Sequence, residues 1–182
     1  MKDEDQNRLV TAINPERLER ELERDREEIE LERLIEKITR EDSLTGAIPK
    51  RERRDIARKI SRKYYELGNK LVEDAQYPEA VDIYTKSISI LKKVVKRKAV
   101  DSYFNRAITL AMMGYPKMAL DDLNAISRSS EPKADIFFVK GQIFESAGRY
   151  KLAERMYNRC LEIDPQFQRA SYSLERLRAS RR

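Results

Sequence analysis

After a polar, irregular start over residues 1–13, a long charged run is punctuated by Leu18, Leu22, Ile29, Leu31, Leu34, Ile35 and Ile38. The apolar positions thicken towards its C-terminal half and predict an amphipathic helix over residues 15–40. Asn14-Pro15 supplies its start, since Asn can cap free amides and Pro is tolerated in the first turn. Oppositely charged neighbours four apart, such as Glu16 with Arg20 and Arg24 with Glu28, add roughly 0.2–0.5 kcal/mol each. Its apolar stripe needs cover: the chain's own later residues, a partner, or a short coiled coil. Ser43–Pro49 (SLTGAIP) reads as a connection, because Gly46 and Pro49 both oppose an uninterrupted helix. The organisation expected is a disordered segment over 1–14, a charged helix over 15–42, a linker and basic segment over 43–60, and one domain over 61–182.

Beyond residue 60 the pattern repeats. Three small residues are each followed twelve positions later by Ala: Gly68 and Ala80, Ala107 and Ala119, Gly141 and Ala153. These mark places where paired antiparallel helices approach closely enough to admit a Cβ at most. Around them recur large fillers: Tyr64, Leu67 and Leu71, then Tyr103 and Leu110, then Phe137 and Phe144. Tyr84, Leu123 and Tyr157 each lie four residues after the Ala, on the same helical face. Turn residues separate the paired helices at Gly114 and Gly148, which are 34 apart, and Ala75 holds the corresponding place in the first unit. Asp164-Pro165 closes the third unit. The first two units are offset by 39 residues instead of 34, and the five extra are placed in LKKVVKRKAV, prolonging the second helix of the first unit.

Over residues 61–182 this pattern resembles the tetratricopeptide repeat (TPR) family. The resemblance implies an all-α fold: a right-handed α-solenoid of three helix pairs (61–99, 100–133, 134–167) closed by a capping helix over 168–181. Tyr172, Leu174 and Leu177 are expected on the packing side of that cap. Each pair leaves an apolar face that only the next can cover, and about three units suffice for burial to outweigh chain entropy. The strings KYYELGNKL and YFNRA resemble co-chaperone-type repeats, in which an acidic C-terminal peptide of heat-shock chaperones is held by two Asn and three basic residues. The two Asn correspond to Asn69 and Asn105. The basic residues fall at Tyr65, Asp135 and Val139, none of them basic, so a carboxylate there would meet no cation and would face Asp101 and Asp135.

Composition narrows the chemistry. With 40% hydrophobic and 38% charged residues, five Gly and six Pro, the chain suits solvated helices with few turns. Residues 1–49 carry 9 Lys/Arg against 15 Asp/Glu, so the net +6 of the chain conceals −6 there and +12 beyond. No stretch could span a bilayer or serve as a secretory signal, and a cytoplasmic location is expected, with cilium or nucleus as alternatives. There is no His, no phosphate-binding Gly-rich loop and no Cys pair, so no enzyme activity, metal or other cofactor is expected. Cys160, the single cysteine, reads as an inward filler.

What the resemblance offers is a concave groove for an extended peptide or partner helix. Its expected lining is Arg62, Tyr65, Asn69, Asp101, Phe104, Asn105, Ile108, Met112, Asp135, Phe138 and Gln142, with Glu73 and Glu145 nearby. Tyr65, Phe104 and Phe138 would form an aromatic ladder for an apolar or basic segment, with Asn69, Asn105 and Gln142 bonding its backbone. The alternative is that these aromatics only pack between successive helices. The expected function is a protein-binding adaptor, co-chaperone-like or assembly-factor-like. The alternatives are a structural subunit of a large ciliary or cytoskeletal assembly, and an RNA-binding accessory protein. The last draws on eight cations between Lys50 and Lys63 and on KKVVKRK at 92–98, but no base-reading motif accompanies the charge and nucleic acid is disfavoured. Sequence gives no oligomeric state.

Overall fold

The computed structural model describes residues 15–40, 48–127 and 133–179, and they are helical with no strand among them. The segments 1–14, 41–47, 128–132 and 180–182 lie outside the described residues, and with them the expected disordered start, the Asn14 cap and most of the connection before Pro49. Among the described residues eight α-helices succeed one another: α1 Pro15–Arg40, α2 Lys50–Glu73, α3 Tyr77–Ile90, α4 Val100–Met112, α5 Pro116–Ser127, α6 Ala134–Ser146, α7 Tyr150–Ile163 and α8 Gln168–Ala179. The chain divides into two units, residues 1–60 and 61–182.

In the first unit, α1 buries Leu31 and Ile38 while Leu22, Ile29 and Leu34 stay exposed. The residues expected as a basic linker differ from that reading from Lys50 onward, where helix α2 begins with Arg53 N–H donating to Pro49 O at 3.0 Å. The physical reason is apolar spacing beneath the charge. Ala57, Ile60, Tyr64, Leu67 and Leu71 are all buried, three to four residues apart, and no Gly or Pro interrupts the run before Gly68.

In the second unit α4 packs on α5, α6 on α7, and α8 closes α7. One core gathers Ala107, Leu110, Ala119, Leu123, Ile126, Ile136 and Ile143 from the middle of the array. Another gathers Phe138, Ala153, Tyr157, Cys160, Ala170, Leu174 and Leu177 beneath the cap. The small residues are explained by rings. A methyl group built on Gly68 would lie 2.5 Å from Tyr84 Cε1, and one on Gly141 would come as near to Tyr157 Cε1. In the middle unit the residue four after the Ala of the twelve-residue interval is Leu123, and there Ala107 fits with no exposed surface. Gly thus goes with Tyr and Ala with Leu.

All three turns between paired helices close alike, with Gln76 N–H donating to Leu71 O, Tyr115 N–H to Leu110 O and Arg149 N–H to Phe144 O, each at 2.8 Å. The residue before each of these donors is left-handed: Gly114 at φ 82°, Gly148 at φ 69°, and Ala75 at φ 58°. A Cβ in that region costs about 1–2 kcal/mol, partly offset by the extra unfolded-state entropy of Gly. Ala75→Gly is therefore expected to stabilise the domain by up to about 1 kcal/mol, read as a higher urea midpoint at unchanged m-value. An unchanged or lower midpoint would contradict the strain.

The five extra residues of the first unit do not simply lengthen an α-helix. Leu91–Val95 wind as a π-turn, and Lys96 at φ 59° ends it, with Arg97 N–H reaching Leu91 O at 3.4 Å. The wider turn absorbs part of the insertion, so that α4 begins at Val100 as the 100–133 unit requires.

A buried seam of hydroxyls ties the first two pairs together. Ser61 Oγ and Ser87 Oγ are 2.8 Å apart, Ser87 Oγ and Ser102 Oγ 2.7 Å, and Ser87 Oγ also donates to Ser61 O at 2.8 Å. Small side chains allow the close crossing, and each hydroxyl finds a partner there.

On the cap, the structure corrects the placement of Tyr172. The buried stripe of α8 is Ala170, Ser173, Leu174 and Leu177, and Tyr172, two residues out of that register, is 68% exposed.

Candidate functional site: the concave face of the repeats

The first helix of each pair presents equivalent positions at fixed offsets from the small residue. Six before it stand Arg62, Asp101 and Asp135; three before it, Tyr65, Phe104 and Phe138; one after it, Asn69, Ile108 and Gln142. Arg62, Asp101, Asp135 and Gln142 are exposed, as is Met112, while Tyr65, Asn69, Phe104, Asn105 and Ile108 are half-buried.

The structure brings Tyr65, Asn69 and Asn105 together in one network with Tyr84. The Tyr84 hydroxyl donates to Asn69 Oδ1 at 2.7 Å, and Asn105 Nδ2 donates to the same oxygen at 2.8 Å and to the Tyr65 hydroxyl at 3.4 Å. The Tyr65 and Tyr84 rings lie 6.3 Å apart, tilted by 43°. Burial pushes the Tyr84 phenol up to about 12. Asn69 Oδ1 is thus occupied, whereas the Asn69 amide and the Asn105 side-chain carbonyl remain as one donor and one acceptor among the described residues.

The three aromatics do not form a uniform ladder. Phe104 packs against the middle core and stays half-buried. Phe138 is a core residue, 3% exposed, held between Tyr157 at 5.8 Å and Phe167 at 5.2 Å, with the Arg169 guanidinium 4.6 Å from its ring centre. Its depth comes from the start of the cap and the turn leading into it, which bring Arg169 and Phe167 over the third unit.

The acidic rim is also smaller than its sequence. Glu145 accepts the Tyr157 hydroxyl at 2.6 Å and Arg176 at 2.5 Å, so it is neutralised within the wall. That bond, together with burial as the larger cause, holds the Tyr157 phenol well above its ordinary range. Asp101 and Asp135 remain as the open carboxylates of the middle. Arg62 pairs with Glu66 at 3.0 Å on its own helix.

Three features are not apparent from the sequence pattern alone. Arg106 and Asp122 form a bidentate pair at 2.8 and 2.7 Å between α4 and α5, and Arg106 also donates to Thr85 Oγ1 at 2.7 Å. The other two are the exposed Arg169 and Tyr172 on the cap. A signal for them does exist, since the 34-residue offset that links Phe104 to Phe138 links Phe138 to Tyr172 and Asp135 to Arg169.

Among the described residues no three His, Cys, Asp or Glu side chains converge as a metal site. Cys160 is fully buried, and burial pushes its thiol up to about 11, far from the thiolate range. No described helix is long and apolar enough to cross a membrane.

Helix pairs in register, Gly facing Tyr and Ala facing Leu, left-handed closures and a cap define a right-handed α-solenoid of three helix pairs with a capping helix, the fold of tetratricopeptide repeats. Residues 134–167 match the tetratricopeptide repeat family directly. The chain is 33% identical over 117 residues to Protein unc-45 homolog B of Danio rerio, covering 63% of this chain. It is likewise 33% identical over 113 residues to DnaJ homolog subfamily C member 7 of Homo sapiens, covering 59% of this chain. These matches span only 12% and 21% of the two relatives' lengths. Among solved structures, the Arabidopsis OM64 TPR domain aligns at TM-score 0.60 and 24% identity, covering 68% of this chain and 98% of that one. The first TPR of Spaghetti (RPAP3), bound to the HSP90 peptide SRMEEVD, aligns at 0.58 and 22%, covering 66% and 91%. At these identities the structures speak to the fold.

Proposed function

We propose that this chain is a non-enzymatic adaptor whose repeats hold an extended protein segment in the concave face, with helix α1 as a second contact. The observation that carries the reading is the pairing of Asn69 and Asn105. One side-chain oxygen is locked by Tyr84, which leaves a fixed amide and a fixed carbonyl to meet the N–H and C=O of a ligand backbone. Ile108 and Met112 offer apolar contact next to them, and Asp101 and Asp135 favour a basic side chain.

A neighbour of this fold, the first TPR of Spaghetti (RPAP3), is bound to a peptide, SRMEEVD, which supports a protein segment as the ligand. An acidic tail held in the co-chaperone manner does not suit this chain, because Tyr65, Asp135 and Val139 stand where cations would be needed. A segment with apolar and basic side chains suits it better.

The test is selection of random dodecapeptides displayed on phage against the full chain, with the affinity of a selected peptide then measured by fluorescence anisotropy. The double variant Asp101→Lys/Asp135→Lys, at exposed positions, should weaken that peptide by about tenfold or more. Arg155→Glu, exposed on the second helix of the third pair, should leave it unchanged. Equal affinity in the groove variant, or equal loss in the control, would refute the assignment. Phe138→Ala is unsuitable here, since that ring belongs to the core.

A further inference from the structure

We infer that the capping helix is a fourth rung of the binding surface, and that Arg169 with Tyr172 captures a carboxylate of the bound segment. The inference rests on the groove reading and adds the chemistry of its C-terminal end.

Three arginines lie along the described part of α8, and they are not equivalent. Arg176 reaches Glu145 at 2.5 Å and Arg178 reaches Glu154 at 3.1 Å, so both are anchored to the preceding unit. Arg169 instead lies over the face of Phe138, its guanidinium carbon 4.6 Å from the ring centre, and it remains exposed. Among the described residues it has no carboxylate partner. A guanidinium held over an aromatic face keeps its N–H donors available, and that fork can grip a carboxylate by two parallel bonds. Tyr172 comes three residues later on the same helix, 68% exposed, and adds a hydroxyl donor beside an apolar ring.

Both residues occupy groove offsets. Arg169 stands 34 residues after Asp135, and Tyr172 stands 34 after Phe138. The lining therefore changes sign between the third pair and the cap, from the open carboxylates of Asp101 and Asp135 to the open cation of Arg169. Charge complementarity selects one occupant: an extended segment whose basic side chain faces the two aspartates and whose carboxylate faces the cap. Neighbouring helices pack about 8–10 Å apart and an extended chain advances about 3.3 Å per residue, so the two charges should be about three residues apart. This site differs from positions 65, 135 and 139, where co-chaperone repeats place their cations.

The experiment repeats the phage selection with full-length wild type, Arg169→Met and Arg169→Glu, and then measures the wild-type consensus peptide and its Glu→Gln form. Methionine keeps Phe138 covered but offers no donors, so a merely structural role would leave the selection unaltered. Wild type should enrich a basic residue followed about three positions later by Asp or Glu. Arg169→Met should lose the acidic preference, and Arg169→Glu should replace it with Lys or Arg. Affinity for the consensus peptide should fall about tenfold on either Arg169→Met or Glu→Gln, with little further loss when the two are combined. An acidic preference that survives in both variants, or a wild-type consensus without an acidic position, overturns the inference and leaves the groove reading standing. Failure to enrich any peptide, or enrichment unaffected by Asp101→Lys/Asp135→Lys, overturns the groove reading and this inference together.

Discussion

Arg106→Leu is expected to lower the unfolding free energy of the protein by about 3–5 kcal/mol, a large share of the roughly 5–15 kcal/mol that holds an ordinary domain folded. The Arg106 and Asp122 side chains are only 18% and 10% exposed, and both carboxylate oxygens are engaged. Removing the guanidinium strands a carboxylate between α4 and α5 with its water already gone. The same two positions in the first unit, 39 residues earlier, are Leu67 and Ile83, both buried. The double variant Arg106→Leu/Asp122→Ile should accordingly recover the loss and end neutral or more stable than wild type, because a well-packed apolar pair avoids the desolvation of two ions. Urea unfolding of the four proteins in the cycle reads this directly. A loss below about 1 kcal/mol for Arg106→Leu would mean that the pair behaves as a screened surface contact.

The second large effect concerns the ring that dictates a glycine. Tyr157→Ala should cost about 3–5 kcal/mol, since it empties the centre of the core under the cap and removes the hydroxyl that Glu145 accepts. Gly141→Ala alone should cost about 1–3 kcal/mol by driving a methyl group into that ring. Tyr157→Leu in the Gly141→Ala background recreates the Ala107 and Leu123 combination of the middle unit, so the double variant should be more stable than the sum of the single changes predicts, by at least about 1 kcal/mol. Strict additivity would show that Gly141 is required for some reason other than Tyr157.

The repeat is legible in the sequence because its determinants are local and recur: a small residue, Ala twelve positions on, a large residue four after that, and a left-handed turn. Even Ala75 can be placed in the turn without a glycine to mark it. Features that depend on neighbours distant in sequence are not legible in the same way. The charge density of KRERRD conceals a helical start at Lys50, although Ala57, Ile60 and Tyr64 carry the spacing. A π-turn and an α-turn draw on the same residues, so only the register of α4 reveals which one absorbs the insertion. Phe104 and Phe138 are equivalent along the chain and differ in depth because the latter lies under Phe167 and Arg169. Arg106 and Asp122 are separated by sixteen residues, at positions where the first unit is apolar, and nothing local pairs them. Tyr172 groups with Leu174 and Leu177 by its apolar ring, and the helical register overrules that grouping.

The groove is most directly tested by amide-shift mapping of the full chain titrated with a phage-selected peptide. Perturbations should concentrate at Asn69, Asn105, Ile108 and Gln142, on the first helix of each pair, and the side-chain amides of the two asparagines should move with them. Shifts confined to α3, α5 and α7, the second helices, would contradict the account.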